Sequence, residues 1–112
     1  MTGRVAAVTL RNDSDHEVEF HVDWRYNGSP IWLPGSSQCV KPGDVWYTTE
    51  TYEYPDRGPN IELRAYHNCN VISVYWIGVS FGLKFGDRPS IKLDGAYRNR
   101  HDFCVNGYCA RT

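Results

Sequence analysis

The chain has 112 residues, of which 41% are hydrophobic and 22% charged, with a net charge of −1. That length suits one domain with a proper core, and the near-zero charge argues against a nucleic-acid partner, which requires a basic excess to meet phosphate. No apolar run approaches the roughly 20 residues of a membrane-spanning helix, so no transmembrane segment is expected.

Val5 to Arg11 reads as the first strand. Its apolar run is too short for a signal-peptide core, so the expected localisation is cytoplasmic, or released without a recognisable signal peptide. Asn12-Asp13-Ser14-Asp15 is a turn of residues whose side chains bond their own backbone, and Asn12-Asp13-Ser14 is also a glycosylation sequon. From Glu17 to Tyr26 every even position is apolar or aromatic and every odd position polar or charged, the period of a strand with one dry and one wet face. Its charged face reads as plain solvent surface, with no special role for His21 or Trp24.

Asn27-Gly28-Ser29-Pro30 turns the chain. Ile31 to Leu33 reads as a short strand closed by Pro34-Gly35, and Gln38 to Lys41 as another ended by Pro42-Gly43. Val45 to Tyr54, rich in Thr, Tyr and Trp, favours a strand. After the loop at residues 55–59, Ile61, Leu63, Ala65 and Cys69 share one face, opposed by Glu62, Arg64, Tyr66 and Asn68. Val71 to Phe85, apolar on both faces in its first half, reads as a central strand bent near Gly78 or Gly82. Ile91 to Leu93 and Ala96 to Arg98 read as a hairpin about Asp94-Gly95; Phe103 to Val105 and Tyr108 to Ala110 read as another about Asn106-Gly107. No segment holds a helical period. The expected fold is all-β: a single-domain antiparallel β-sandwich over residues 1–112, jelly-roll-like, with about seven to nine strands.

A two-residue turn at Asn106-Gly107 places Cys104 opposite Cys109 in a non-hydrogen-bonded pair, with Cα atoms roughly 4.5 Å apart, close enough for a disulfide. Cys39 and Cys69 would then form a second pair, although four cysteines admit three connectivities. The alternative is four reduced thiols, as in a reducing compartment. His67, Cys69, His101, Cys104 and Cys109 are zinc-ligand types, but their spacing is not that of a zinc finger, so no metal is expected. Asp13, Asp15 and Glu17 alternate like calcium ligands without the glycine and distal glutamate of an EF-hand, which leaves calcium without a motif and the chain without an expected cofactor. Nucleophile-elbow, zinc-protease and phosphate-loop patterns are absent from the sequence, which argues against an enzyme.

The aromatic content, 14% with 4 Trp and 8 Tyr, is the functional clue. A sugar ring is held by a flat aromatic under its C–H face and by planar hydrogen-bonding groups at its hydroxyl rim. Trp46, Tyr52 and Tyr54 on one face of their strand, with Asp56, Arg57 and Asn60 in the following loop, supply those groups; the plain alternative packs Trp46 on the core. Trp76 beside the small residues Gly78, Ser80 and Gly82 offers a shallow trough. The segment from Tyr97 to Asp102, with Asn99 and Arg100, is a third candidate carbohydrate contact.

Taken together, V-T-L-R-N-D-S (residues 8–14), V-E-F-H-V-D-W (18–24), a Pro-Gly turn, an aromatic strand and a long central strand resemble the small slime-mould hemagglutinins and their spherulin-like relatives. A looser likeness is to the aegerolysins, acidic β-sandwich proteins that bind membrane lipids. The first resemblance implies a jelly-roll sandwich and sugar-dependent agglutination. The expectation is therefore a lectin recognising glycans or glycoproteins, a homo-oligomer if it agglutinates with one site per chain. The rivals are a lipid-binding sandwich and a structural or storage protein without a specific ligand.

Overall fold

The computed structural model describes residues 3–25, 29–53, 60–68, 70–78 and 90–109, with 3–6, 51–53, 60, 72–78, 90 and 91 described by backbone alone. These residues form nine strands and no helix: β1 (Gly3–Asn12), β2 (Val18–Arg25), β3 (Leu33–Val40), β4 (Val45–Glu53), β5 (Asn60–His67), β6 (Asn70–Gly78), β7 (Ser90–Asn99), β8 (Asp102–Val105) and β9 (Tyr108–Cys109). One sheet has the order β4-β1-β7-β8-β9 and the other β3-β2-β5-β6. Together they are the expected β-sandwich. Strand β3 lies against β4 along one side, and β6 against β8 along the other.

Alternation in the sequence decides which residues meet between the sheets. Val18, Phe20 and Val22 from β2 and Ile61, Leu63 and Ala65 from β5 are fully buried, opposite Val8 and Leu10 from β1, Leu93 and Tyr97 from β7, and Phe103 and Val105 from β8. Phe20 is the key between the layers. Its ring lies 6.3 Å from Tyr97 at 77° and 6.0 Å from Phe103, while Tyr97 and Phe103 meet edge to face at 5.9 Å. Such tilted contacts set the positive ring edge against the negative face and add to burial alone.

Several expected turns prove to be strand. Pro34-Gly35 does not close a strand but lies within β3, where Val22 alone stands between the pairs His21–Ser37 and Asp23–Pro34 and so opposes both Gly35 and Ser36. A bulge on an edge strand tolerates proline, which has no N–H to give to a ladder. A Cβ at Gly35 would come 2.6 Å from the Val22 carbonyl oxygen, so this position admits glycine for its size. Asp94-Gly95 likewise lies inside the continuous strand β7; a Cβ there would meet the Cys104 carbonyl and the Val105 side chain, both at 2.8 Å. Both glycines mark close approaches rather than reversals.

The expected long strand is β6 as far as Gly78, and residues 79–89 lie outside the described residues. Among the described residues β6 pairs only with β5 and is an edge strand, not a central one. Its backbone packs against β8 of the other sheet. The Asn106-Gly107 turn is as expected: both residues have positive φ, 52° and 83°, Val105 pairs with Tyr108, and Cys104 and Cys109 form a disulfide with Cα atoms 3.9 Å apart. Cys39 is an exposed free thiol, and Cys69 lies outside the described residues. One pair of neighbours, β1 and β7, is parallel rather than antiparallel. These strands come from distant parts of the chain, so no hairpin dictates their relative direction.

Two of the crossings from sheet to sheet, residues 13–17 and 41–44, meet at one buried side chain. Asn12 is fully buried. Its Nδ2 donates to the carbonyls of His16 and Val40, both at 2.8 Å, and its Oδ1 accepts from Ser14 N at 3.0 Å and Ser14 Oγ at 2.5 Å. Two donors and two acceptors exhaust what an asparagine amide offers. The backbone adds Asn12 N to Asp44 O at 3.0 Å and Gly43 N to Asn12 O at 2.7 Å. In the folded chain the sequon amide is thus occupied. Asn12→Ala strands two buried carbonyls and two donors of Ser14; the expected loss is about 2–4 kcal/mol, read as a lower urea midpoint at unchanged slope.

Candidate functional site

Of the expected carbohydrate contacts, the side chains of Trp46, Tyr97, Asn99 and Arg100 are among those described. Tyr97 is 1% exposed and belongs to the core trio; burial raises its phenol pKa, and it is not a surface contact. Trp46 is half-buried and packs against the core, while Tyr47, next to it on the other face of β4, is 73% exposed. Also on β4, Glu50 accepts a hydrogen bond from Ser36 N at 2.9 Å, tying the edge strands of the two sheets. Asn99 and Arg100 are exposed at the β7–β8 turn, where Asn99 Oδ1 accepts from His101 N at 2.8 Å and Arg100 Nε donates to His101 Nε2 at 3.2 Å. Tyr52 pairs with Arg4 in backbone register, Asn60 with Arg25, and Trp76 with Glu62. Tyr54, Asp56 and Arg57 lie outside the described residues. Trp46 and Trp76 stand on opposite sides of the sandwich, on strands β4 and β6.

The side chains that do converge are on the outer face of the four-stranded sheet, the face that reads in sequence as plain solvent surface. In register, Glu19 stands between Cys39 and Tyr66, His21 opposes Arg64, and Asp23 opposes Glu62. Two carboxylates directly opposite each other repel. Arg64, one step along on the diagonal, resolves this by pairing with both, with Asp23 through Nη2 and with Glu62 through Nε at 3.2 Å. Asp23 is consequently almost fully buried on a face that alternation assigns to solvent. The Arg64 guanidinium also lies over the Tyr66 ring at 5.5 Å, and the His21 ring meets Tyr66 at 4.6 Å while His21 Nε2 reaches Glu19 Oε1 at 3.0 Å. Four ring or planar groups are thereby held in one row without a loop.

Beside this row opens a groove of about 290 Å³ lined by Glu17, Val18, Glu19, Cys39, Tyr66, His67 and Asn68. His67 is fixed from behind by a stacked contact with His16, ring centroids 3.9 Å apart. Desolvation and the carboxylates of Glu19 and Glu17 raise the Cys39 thiol pKa above its ordinary value. The groove offers carboxylate acceptors, an aromatic edge and an amide, and among the described residues no arginine or lysine lines it. At the other end of the face Ile31 is 66% and Leu33 37% exposed on either side of Trp32, whose ring carries the Arg25 guanidinium at 4.6 Å.

No protein-family model and no curated protein matches the sequence.

Burial raises the Glu62 carboxyl above its ordinary pKa, and the nearby Arg25 only partly opposes this. The folded state therefore holds this proton more tightly than the unfolded chain, and the contribution of Glu62 to stability falls as pH rises through the interval from its unfolded to its folded pKa. Glu62→Gln removes that dependence. The stability of the variant relative to wild type is expected to increase as pH rises through the carboxylate range and to level off above it, measured by urea unfolding at a series of pH values.

Proposed function

We propose that this protein is a non-enzymatic carbohydrate-binding β-sandwich that takes neutral glycans on the outer face of its four-stranded sheet. The observation that carries this reading is the row Glu19, His21, Tyr66 and Arg64 beside the open groove. It presents an aromatic ring and planar hydrogen-bonding groups, locked by cross-strand pairing, where a sugar's C–H face and hydroxyl rim would meet them. The acidic lining favours hydroxyl donors and disfavours sialylated or uronic glycans by charge. The resemblance to the slime-mould hemagglutinins points to the same class of ligand, although the contacts proposed here are on β2 and β5 instead of β4. Agglutination would require two copies in one assembly, since one shallow groove cannot bridge two cells.

A glycan array with free-sugar inhibition tests this. Binding to neutral glycans is expected, with Tyr66→Ala weaker by about 2- to 10-fold, the worth of one aromatic contact. Failure of the wild-type protein to bind any glycan, or full binding by Tyr66→Ala, would remove the reading.

The exposed Ile31 and Leu33 on either side of the half-buried Trp32 favour a second reading, a lipid-surface protein like the aegerolysins. An aromatic flanked by aliphatic side chains suits the headgroup level of a bilayer. Co-sedimentation with liposomes that Ile31→Ser/Leu33→Ser abolishes would support it; no binding to zwitterionic or anionic vesicles would exclude it.

A further inference from the structure

Three potential ligands converge at the far edge of the five-stranded sheet, away from the proposed glycan face. Asp102 and Cys104 are two apart on β8 and so project to one face, and Cys109 opposes Cys104 across the ladder. A carboxylate oxygen of Asp102 and the two sulfurs all lie within 4.8 Å of one another. Asp102 divides its oxygens: Oδ2 faces Arg98 Nη1 at 3.6 Å, while Oδ1 stands 3.3 Å from Cys104 Sγ. In the disulfide that sulfur has no proton to give, so the oxidised hairpin makes no hydrogen bond of this contact.

The geometry points to a thiophilic divalent-metal site, of zinc type, formed by Asp102, Cys104 and Cys109 when the disulfide is reduced. Around a tetrahedral zinc, with sulfur near 2.3 Å and oxygen near 2.0–2.2 Å, ligand atoms stand roughly 3.5–3.8 Å apart; Asp102 Oδ1 and Cys104 Sγ already stand 3.3 Å apart, and breaking the S–S bond frees the two sulfurs to separate to that spacing. Two thiolates select zinc over calcium or magnesium, which prefer oxygen. Cys109 is exposed, so the fourth position faces solvent and takes water. In the reducing step a dithiol passes two electrons and two protons to Cys104 and Cys109 and becomes a cyclic disulfide. Zinc then displaces the two thiol protons, and Asp102 completes the set with its charge unchanged. Metal and disulfide exclude each other because each uses both sulfurs. The same hairpin is thus a staple under oxidising conditions and a metal site under reducing ones.

Cobalt(II) titration of the reduced full-length protein, freed of reductant under anaerobic conditions, reads the site through the sulfur-to-cobalt charge-transfer band. The expected result is one cobalt per chain, displaced by zinc, with no band for the oxidised protein. Cys109→Ser abolishes the band, and Asp102→Asn weakens binding by about 10- to 100-fold. Zinc also shields Cys104 and Cys109, but not Cys39, from alkylation mapped by peptide mass, which decides the matter even if a variant misfolds. Absence of the band from reduced wild type, unchanged affinity in Asp102→Asn, equal binding by the oxidised protein, or no selective shielding would each overturn the inference.

Discussion

Two sheets can face each other only if the segments crossing between them are held, and here both described crossings hang on the Asn12 amide. One donor closes residues 13–17 through the His16 carbonyl, the other reaches Val40 at the end of β3, and the carbonyl side orders Ser14. Serine or aspartate at this place would lack the pair of donors that faces two carbonyls. The layers then meet over Phe20, Tyr97 and Phe103, whose packing presupposes that β2 has already been delivered opposite β7 and β8. Specificity of topology thus rests on a polar group, and the free energy of burial follows from it.

The outer face of the four-stranded sheet shows how a regular pattern can hide an irregular surface. Glu19, His21, Asp23 and Arg25 alternate faultlessly with the core residues. Their neighbours, however, come from β5, more than thirty residues later in the chain. Asp23 opposite Glu62 is unfavourable until Arg64 joins them, and Arg64 in turn leans on Tyr66. The result is a set of side chains positioned by backbone ladders, a firmer support for recognition than a loop. On β4, by contrast, Trp46 packs on the core and Glu50 holds Ser36.

Much of the fold is legible from local chemistry. The period of β2, the paired apolar positions of β5 and the Asn106-Gly107 reversal each depend on residues within a few positions, and each stands as the sequence indicates. Pro34-Gly35 and Asp94-Gly95 mislead because glycine answers two needs, a positive φ and a missing Cβ, and only the partner strand tells them apart. Tyr97 misleads for a related reason: its charged neighbours Arg98 and Arg100 suggest a loop, whereas the strand runs on to Asn99 and turns the ring inward. Cross-strand register, the quantity that assembles the row around Tyr66, is not written in any one segment.

The parallel pairing of β1 with β7 bears on how the chain reaches its fold. β1 ends at Asn12 and its partner begins at Ser90, so most of the protein must be made before that ladder can close. Until then β1 is open on at least one side, a row of unpaired amides that another nascent chain can use. Such long-range closure slows folding relative to hairpins of the same size. A protein of this build gains its last neighbour late in synthesis, and its exposure to mispairing is set by translation as much as by stability.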